Sequence, residues 1–169
     1  SQLVTEGFVT LEVGKGFNVG PASREELIEI TEHYIDFEKR ALADAIEHGD
    51  DDWESRIVAT HHRLSIIESQ SWSQRVERHS EWVERHREFH RALVGACQRP
   101  WLVRLRSLMF DQTDRYRFIT KMAPEGLGKT KFIEHKLIMQ ATLDRDVREA
   151  TRLIEKHIRG TSDEALKAL

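Results

Sequence analysis

The chain has 169 residues, 33% charged and 39% hydrophobic, with a net charge of −3 and a pI near 6.3. That length allows one domain with a real core. No apolar run approaches the roughly 18–20 residues of a membrane-spanning helix, and the opening SQLVTEGF lacks the basic start and apolar stretch of a secretion signal. The acidic balance speaks against a nucleic-acid-binding surface over most of the chain.

A single cysteine, Cys97, excludes an internal disulfide framework and, with no membrane segment, points to the cytoplasm. Residues 1–20 stand apart from the rest. In FVTLEVGKGFNVG, Val9, Leu11 and Val13 alternate before Gly-Lys-Gly, and Phe17 and Val19 follow. The pattern predicts a short hairpin, which cannot fold alone. The chain opens on Ser1 and its first residues read as the end of an upstream segment.

From residue 22 the periodicity is helical. Ser23 followed by Glu26 is a capping-box signature ahead of Leu27, Ile28 and Ile30. The stripe continues through Tyr34, Phe37, Leu42 and Ile46 and stops near Gly49. DDDWESRIVATHHRLSIIES predicts a second helix with acidic residues in its first turn. WSQRVERHSEWVERHREFHRALVGAC predicts a third, bent or broken near Ser80, and Pro100 opens a fourth, PWLVRLRSLMFDQTDRYRFIT. MAPEGLGK reads as a loop, TKFIEHKLIMQATL as a fifth helix, and RDVREATRLIEKHIRG as a sixth that ends at Gly160. GLGKT is not a phosphate loop, because the required earlier glycine is Ala123 and no strand precedes it. The predicted fold is all-α: an antiparallel bundle of six or seven helices behind a short N-terminal β-hairpin.

Nine histidines are many for this length. His86 and His90, one turn apart, share a face with Trp82, Phe89 and Leu93. His135 shares one with Phe132, Ile138 and Met139, and His157 with Ala150, Leu153 and Ile154. Each could be a core histidine satisfied by a hydrogen bond. Four on three helices would then bear four separate desolvation penalties, each about 1–3 kcal/mol if unpaired. One divalent cation would satisfy all four, and the i, i+4 pair lets two side chains of one helix reach it. Nitrogen donors suit zinc, nickel or copper over magnesium or calcium. His33, His48 and His79 sit among charged residues and are expected in solvent, while one of His61 and His62 must face inward as a structural residue.

Two functions can be weighed from these residues alone. A metalloenzyme would need an open metal position and a base, but Glu88 and Glu134 neighbour histidines in sequence and should point elsewhere. A metal-free dimerisation module would use the histidines only for packing.

EFH followed by RALVGAC, the later EH, and the final histidine 22 residues beyond His135 resemble the effector-binding and dimerisation domain of the FadR subgroup of GntR-type bacterial transcription regulators. WVERHREFH and DQTDRYR resemble most the carbon-starvation-induced repressor branch, and EGFVTLEVGKGFNV resembles the tail of the family's winged helix-turn-helix. The resemblance implies that residues 1–20 are the end of the DNA-binding domain and residues 21–169 the all-helical effector-binding and dimerisation domain. It also implies a non-enzymatic homodimer that reaches operator DNA only through the part preceding Ser1.

In the family an Asp and three His hold a divalent metal that binds a small carboxylate or dicarboxylate effector. The matching positions are His86, His90, His135 and His157, with His86 standing where the family usually has Asp. The replacement leaves four neutral ligands, and such a site is expected to attract an anion more strongly. Where an effector-binding Arg is common, one turn before Glu38, the chain has Tyr34; the expected cationic partner is then Arg115 or Arg117.

Overall fold

A computed structural model describes the backbone of residues 10–12, 16–18, 23–120 and 127–169, and the side chains of 23–114, 116 and 131–169. Among these residues seven helices form: α1 (Arg24–His48), α2 (Asp51–Glu68), α3 (Trp72–Glu77), α4 (His79–Leu93), α5 (Pro100–Thr120), α6 (Leu127–Leu143) and α7 (Val147–Ala168). Thr10–Glu12 and Gly16–Asn18 pair as two three-residue antiparallel strands. Nothing in the described residues supports reading that pair as the remnant of a separate winged-helix domain; the fold is the helical bundle.

Helix starts follow the sequence signals. Ser23, Asp50 and Asp146 each accept a hydrogen bond from the backbone N–H three residues on. The expected Glu26 return bond goes elsewhere: the Tyr116 hydroxyl donates to Glu26 Oε2 at 2.6 Å and accepts from the Ser23 N–H at 3.4 Å. The long third segment breaks at Arg78, two residues before the expected Ser80.

Two boundaries depart from expectation. Leu127 to Lys129, read as loop, belong to the first turn of α6. Gly160 does not end α7, because Ser162 and Ala165 continue its buried stripe, and Ala165 packs with Leu27 and Tyr116. Burial along a face outweighs one residue's poor propensity.

Helix α1 packs against α5 and α7, α2 against α4 and α6, and the α6–α7 contact joins the two groups. The core runs along their shared axis through Tyr34, Leu42, Trp53, Leu64, Phe89, Phe110, Ile138 and Ile154. At one end Trp53 donates from its indole to the Ala92 carbonyl at 2.9 Å. Its ring lies so close to Gly49 that a Cβ there would sit 2.0 Å from Trp53 Cε3. Arg145, in the left-handed region at φ 58, caps the same corner by donating to the Ile46 and Gly49 carbonyls at 2.6 and 3.0 Å.

Gly49→Ala is expected to lower stability by about 1–3 kcal/mol through overpacking against Trp53. Gly160→Ala, whose new Cβ comes no closer than 3.6 Å to Lys131 Nζ, should raise it by about 0.5–1 kcal/mol. Urea unfolding of the two variants checks both signs.

The buried Asp44 carboxylate accepts from the Gln98 N–H and from Arg99 Nε, each at 2.7 Å. Burial pushes this carboxyl up, but those donors outweigh it and hold it below its ordinary value. The unfolded chain therefore takes up the proton more readily. Stability from this group is full above the ordinary aspartate pKa of about 3.9 and is lost as pH falls through the depressed folded value. Asp44→Asn should lose about 1–3 kcal/mol at pH 7 and show a flatter decline than the parent between about pH 5 and 2. Denaturation across that range reads the difference.

Candidate metal centre

Helix α4 carries His86 and His90 one turn apart on the face that also buries Phe89 and Leu93. Helix α6 brings His135, on the inward stripe with Ile138 and Thr142, and α7 brings His157, one residue from Ile158 and three from Ile154. All four are at most 4% exposed. One ring nitrogen from each lies within 4.8 Å of those of the others, and the ring centres are 4.4–6.1 Å apart. Trp82 stacks on His86 at 4.7 Å and walls the cluster on that side.

The partners of these rings decide which nitrogens face inward. His135 Nδ1 lies 2.9 and 3.1 Å from the two oxygens of Glu68, which also accepts from the Trp82 indole at 3.1 Å. His157 Nδ1 lies 2.8 Å from Glu134 Oε2. An ionised carboxylate only accepts, so in both rings Nδ1 carries the proton and Nε2 presents a lone pair. The buried His135 Nε2 has no hydrogen-bond partner among the described residues. Burial, opposed by Glu134 and reinforced by His135 and His90, holds the His157 ring well below the ordinary histidine range. Burial raises the Glu134 carboxyl, but His157 and Lys131 outweigh it and keep it ionised.

Glu38 lies behind His90, its Oε1 3.8 Å from Nδ1. Its carboxylate is fully buried against Arg106, whose guanidinium donates to Glu38 Oε1 at 3.0 Å and to the His90 carbonyl at 3.2 Å. Burial disfavours the Arg106 charge, but Glu38 and then Tyr34 more than restore it. Three carboxylates (Glu38, Glu68, Glu134) thus stand behind the cluster against Arg106 and the Lys131 ammonium, which is 3.4 Å from Glu134.

The donor set fits a borderline transition metal. Zinc holds imidazole nitrogens at about 2.0–2.1 Å, so tetrahedral ligands lie about 3.4 Å apart, a modest closing of the spacing found here. Carboxylates on the far nitrogens of two rings orient them and raise their basicity. The negative surroundings favour a cation, as an aspartate at the position of His86 would have done. They temper the expectation that four neutral ligands make the site strongly attractive to anions.

Tyr34 is buried, its ring edge-on to Phe110 at 5.9 Å and its centre 5.8 Å from the Arg106 guanidinium carbon. It lines a narrow cavity beside the cluster, together with His90, His157, Thr113, Tyr116 and Ser162. The free volume is about 20 Å³, room for one or two water molecules. The side chains of Arg115 and Arg117 lie outside the described residues.

Of the other histidines, His33 and His48 are exposed, with His48 Nδ1 2.8 Å from the Asp44 carbonyl. His79 is half-buried 5.8 Å from Trp82, not in open solvent. His61 is the inward member of its pair, edge-on to Phe89, and His62 is exposed.

Sequence reasoning missed the carboxylates. Glu68 completes the inward stripe Trp53, Ile57, His61 and Leu64, a signal present in the spacing. Glu38 interrupts the stripe of Tyr34, Ile35, Ala41 and Leu42 in the same way. Glu134 was expected to point away from the site because it adjoins His135. Turned about 100° from it on α6, it instead reaches across to α7 and His157.

The FCD domain model matches residues 29–160. The HTH-type transcriptional regulator BphR of Paraburkholderia xenovorans (strain LB400) is 32% identical over 158 residues, which cover 94% of this chain and 64% of that protein. The HTH-type transcriptional repressor GlaR of Escherichia coli (strain K12) is 35% identical over 162 residues, covering 94% and 72%. Among solved structures, E. coli McbR/YncC superposes with a TM-score of 0.83 at 13% identity, covering 99% of this chain and 81% of that one. The chain thus spans about two thirds of the length of these curated relatives. It belongs to the FCD domain family.

Proposed function

We propose that the chain is the ligand-sensing domain of a bacterial transcription repressor, binding zinc or nickel through His86, His90, His135 and His157 and a small carboxylate effector beside it. Residues 1–20 are then the end of the winged helix-turn-helix, residues 21–169 the sensing and dimerisation domain, and operator DNA is reached by the homodimer through the upstream domain. The observation that carries this reading is the convergence of four buried histidines, two of them with Nδ1 held by Glu68 and Glu134, which leaves Nε2 as the nitrogen those rings can offer a metal. A bound metal would supply a positive centre for a carboxylate.

The chain's own residues set how such a ligand is received. His90 and His157 belong to the cluster and, with Tyr34, line the cavity, so a ligand entering there meets α1, α4 and α7 together. With free volume for only a water or two, a larger acid must part these helices. A ligand shifts a conformational balance only by binding one arrangement better than the other, and a tight cavity provides that difference. A metalloenzyme finds no support: the relatives are transcription regulators, and Glu134, an obvious base, is committed to His157. The metal-free packing role leaves the buried His135 Nε2 unexplained.

The chain should bind about one zinc or nickel per molecule, measured by calorimetry against a competing chelator. Glu134→Gln and Glu68→Gln should weaken binding by about 10–100-fold, and His135→Ala should weaken it further, each with helical content retained. A parent chain that binds no transition metal, or a Glu134→Gln variant with unchanged affinity, contradicts the proposal.

A further inference from the structure

Trp82 reaches two of the four histidines by two different routes. It precedes His86 by one turn of α4, so both side chains leave the same face. Their rings stack, with centres 4.7 Å apart and planes 28° from parallel. The edge of the indole serves the second route: its Nε1–H donates to Glu68 Oε1 at 3.1 Å. The Glu68 oxygens in turn lie 2.9 and 3.1 Å from His135 Nδ1. One indole thus ties α4 to the end of α2 and, through Glu68, to α6.

Each route bears on coordination. An imidazole offers a metal its lone pair in the plane of the ring, so turning the ring about χ2 swings that lone pair away. A flat ring stacked on His86 resists the turn, and Phe110, at 6.1 Å and also at 28°, packs on it as well. A ring already oriented loses no further side-chain freedom when the metal binds. The Glu68 side chain is 2% exposed, and its carboxylate only accepts. The indole N–H is a second donor to it and fixes where it receives the His135 proton.

Trp82 is itself half-buried, with the His79 ring 5.8 Å away, and it packs against the core from the edge. A leucine there would cover the same edge. The stacked face and the N–H aimed at a buried carboxylate are what an indole adds.

We propose that Trp82 is a positioning residue of the metal centre: its face holds His86 in the orientation that coordinates, and its N–H holds Glu68 on His135. The inference rests on the four-histidine centre proposed above and adds the residue that makes His86 its fourth ligand.

Two substitutions in the full chain separate the routes. Trp82→Phe keeps a flat ring beside His86 and removes the N–H, whereas Trp82→Leu removes both and keeps apolar bulk. Cobalt(II) reports the number and type of its ligands through its visible absorption, and calorimetry against a competing chelator gives the zinc affinity. Trp82→Phe should keep the parent's cobalt spectrum and bind zinc severalfold more weakly. In a Glu68→Ala background the same change should cost no further affinity, because the N–H acts through Glu68. Trp82→Leu should bind zinc about tenfold or more weakly and give the cobalt spectrum of His86→Ala.

A merely structural Trp82 would lower the melting temperature of Trp82→Leu and leave its cobalt spectrum and zinc affinity those of the parent, which overturns the inference. Should Trp82→Leu fail to fold, the cycle of Trp82→Phe with Glu68→Ala decides. Unchanged affinity in Trp82→Phe, or the same loss in both backgrounds, overturns the inference there. A parent spectrum identical to that of His86→Ala overturns it too and leaves a three-histidine metal site standing. A parent that binds neither metal removes the metal centre itself, and the inference falls with it.

Discussion

Four imidazoles buried within 4.8 Å of one another are the constraint around which the bundle is arranged. Rings packed so closely cannot all find water, and carboxylate and aromatic side chains of the surrounding helices hold them in orientation. Glu68 at the end of α2 and Glu134 on α6 fix two rings. Trp82 and Phe110 pack against His86, and Phe89 against His90 and His135. Removing one partner of such a network leaves a buried polar group exposed to its full desolvation penalty.

The Glu38–Arg106 pair shows how the cluster is tied to the rest of the fold. It joins α1 to α5 out of water and anchors the main chain of α4 at the His90 carbonyl. Arg87 makes a second tie from α4, reaching Asp111 and Asp114 on α5. A buried pair of this kind adds little net stability compared with apolar packing, but breaking it is costly. Its value here is positional: the helix that carries two of the histidines is fixed against two neighbours by charged groups with few alternative partners. Tyr116 extends the linkage from α5 to the first turn of α1 through Glu26 and Ser23.

Much of this was legible in the sequence, because burial leaves a periodic trace. The apolar stripes located the main helices, and the histidines could be placed inward because their neighbours at three and four residues are apolar. The carboxylates behind them were harder to read. A glutamate within a stripe is usually taken as a surface residue, and only the three-dimensional neighbour reveals that Glu68 and Glu38 are buried with partners. Glu134 illustrates the limit most clearly, since its role depends on the packing of α6 against α7 and not on its own helix. The run of α7 through Gly160 shows the converse, with tertiary contacts at Ala165 overriding a local stop signal. Arg115 and Arg117, expected as the cationic effector partners, lie outside the residues whose side chains are described.

The convergence of His86 with the other three histidines is the feature that sets this chain apart from the aspartate-bearing pattern it resembles. X-ray absorption at the metal edge of the zinc-loaded chain reads the ligand set directly. Four imidazoles in the parent, falling to three in His86→Ala with the metal still bound, is the result expected if His86 coordinates. A spectrum unchanged by His86→Ala, or one dominated by oxygen ligands in the parent, would contradict a four-histidine centre.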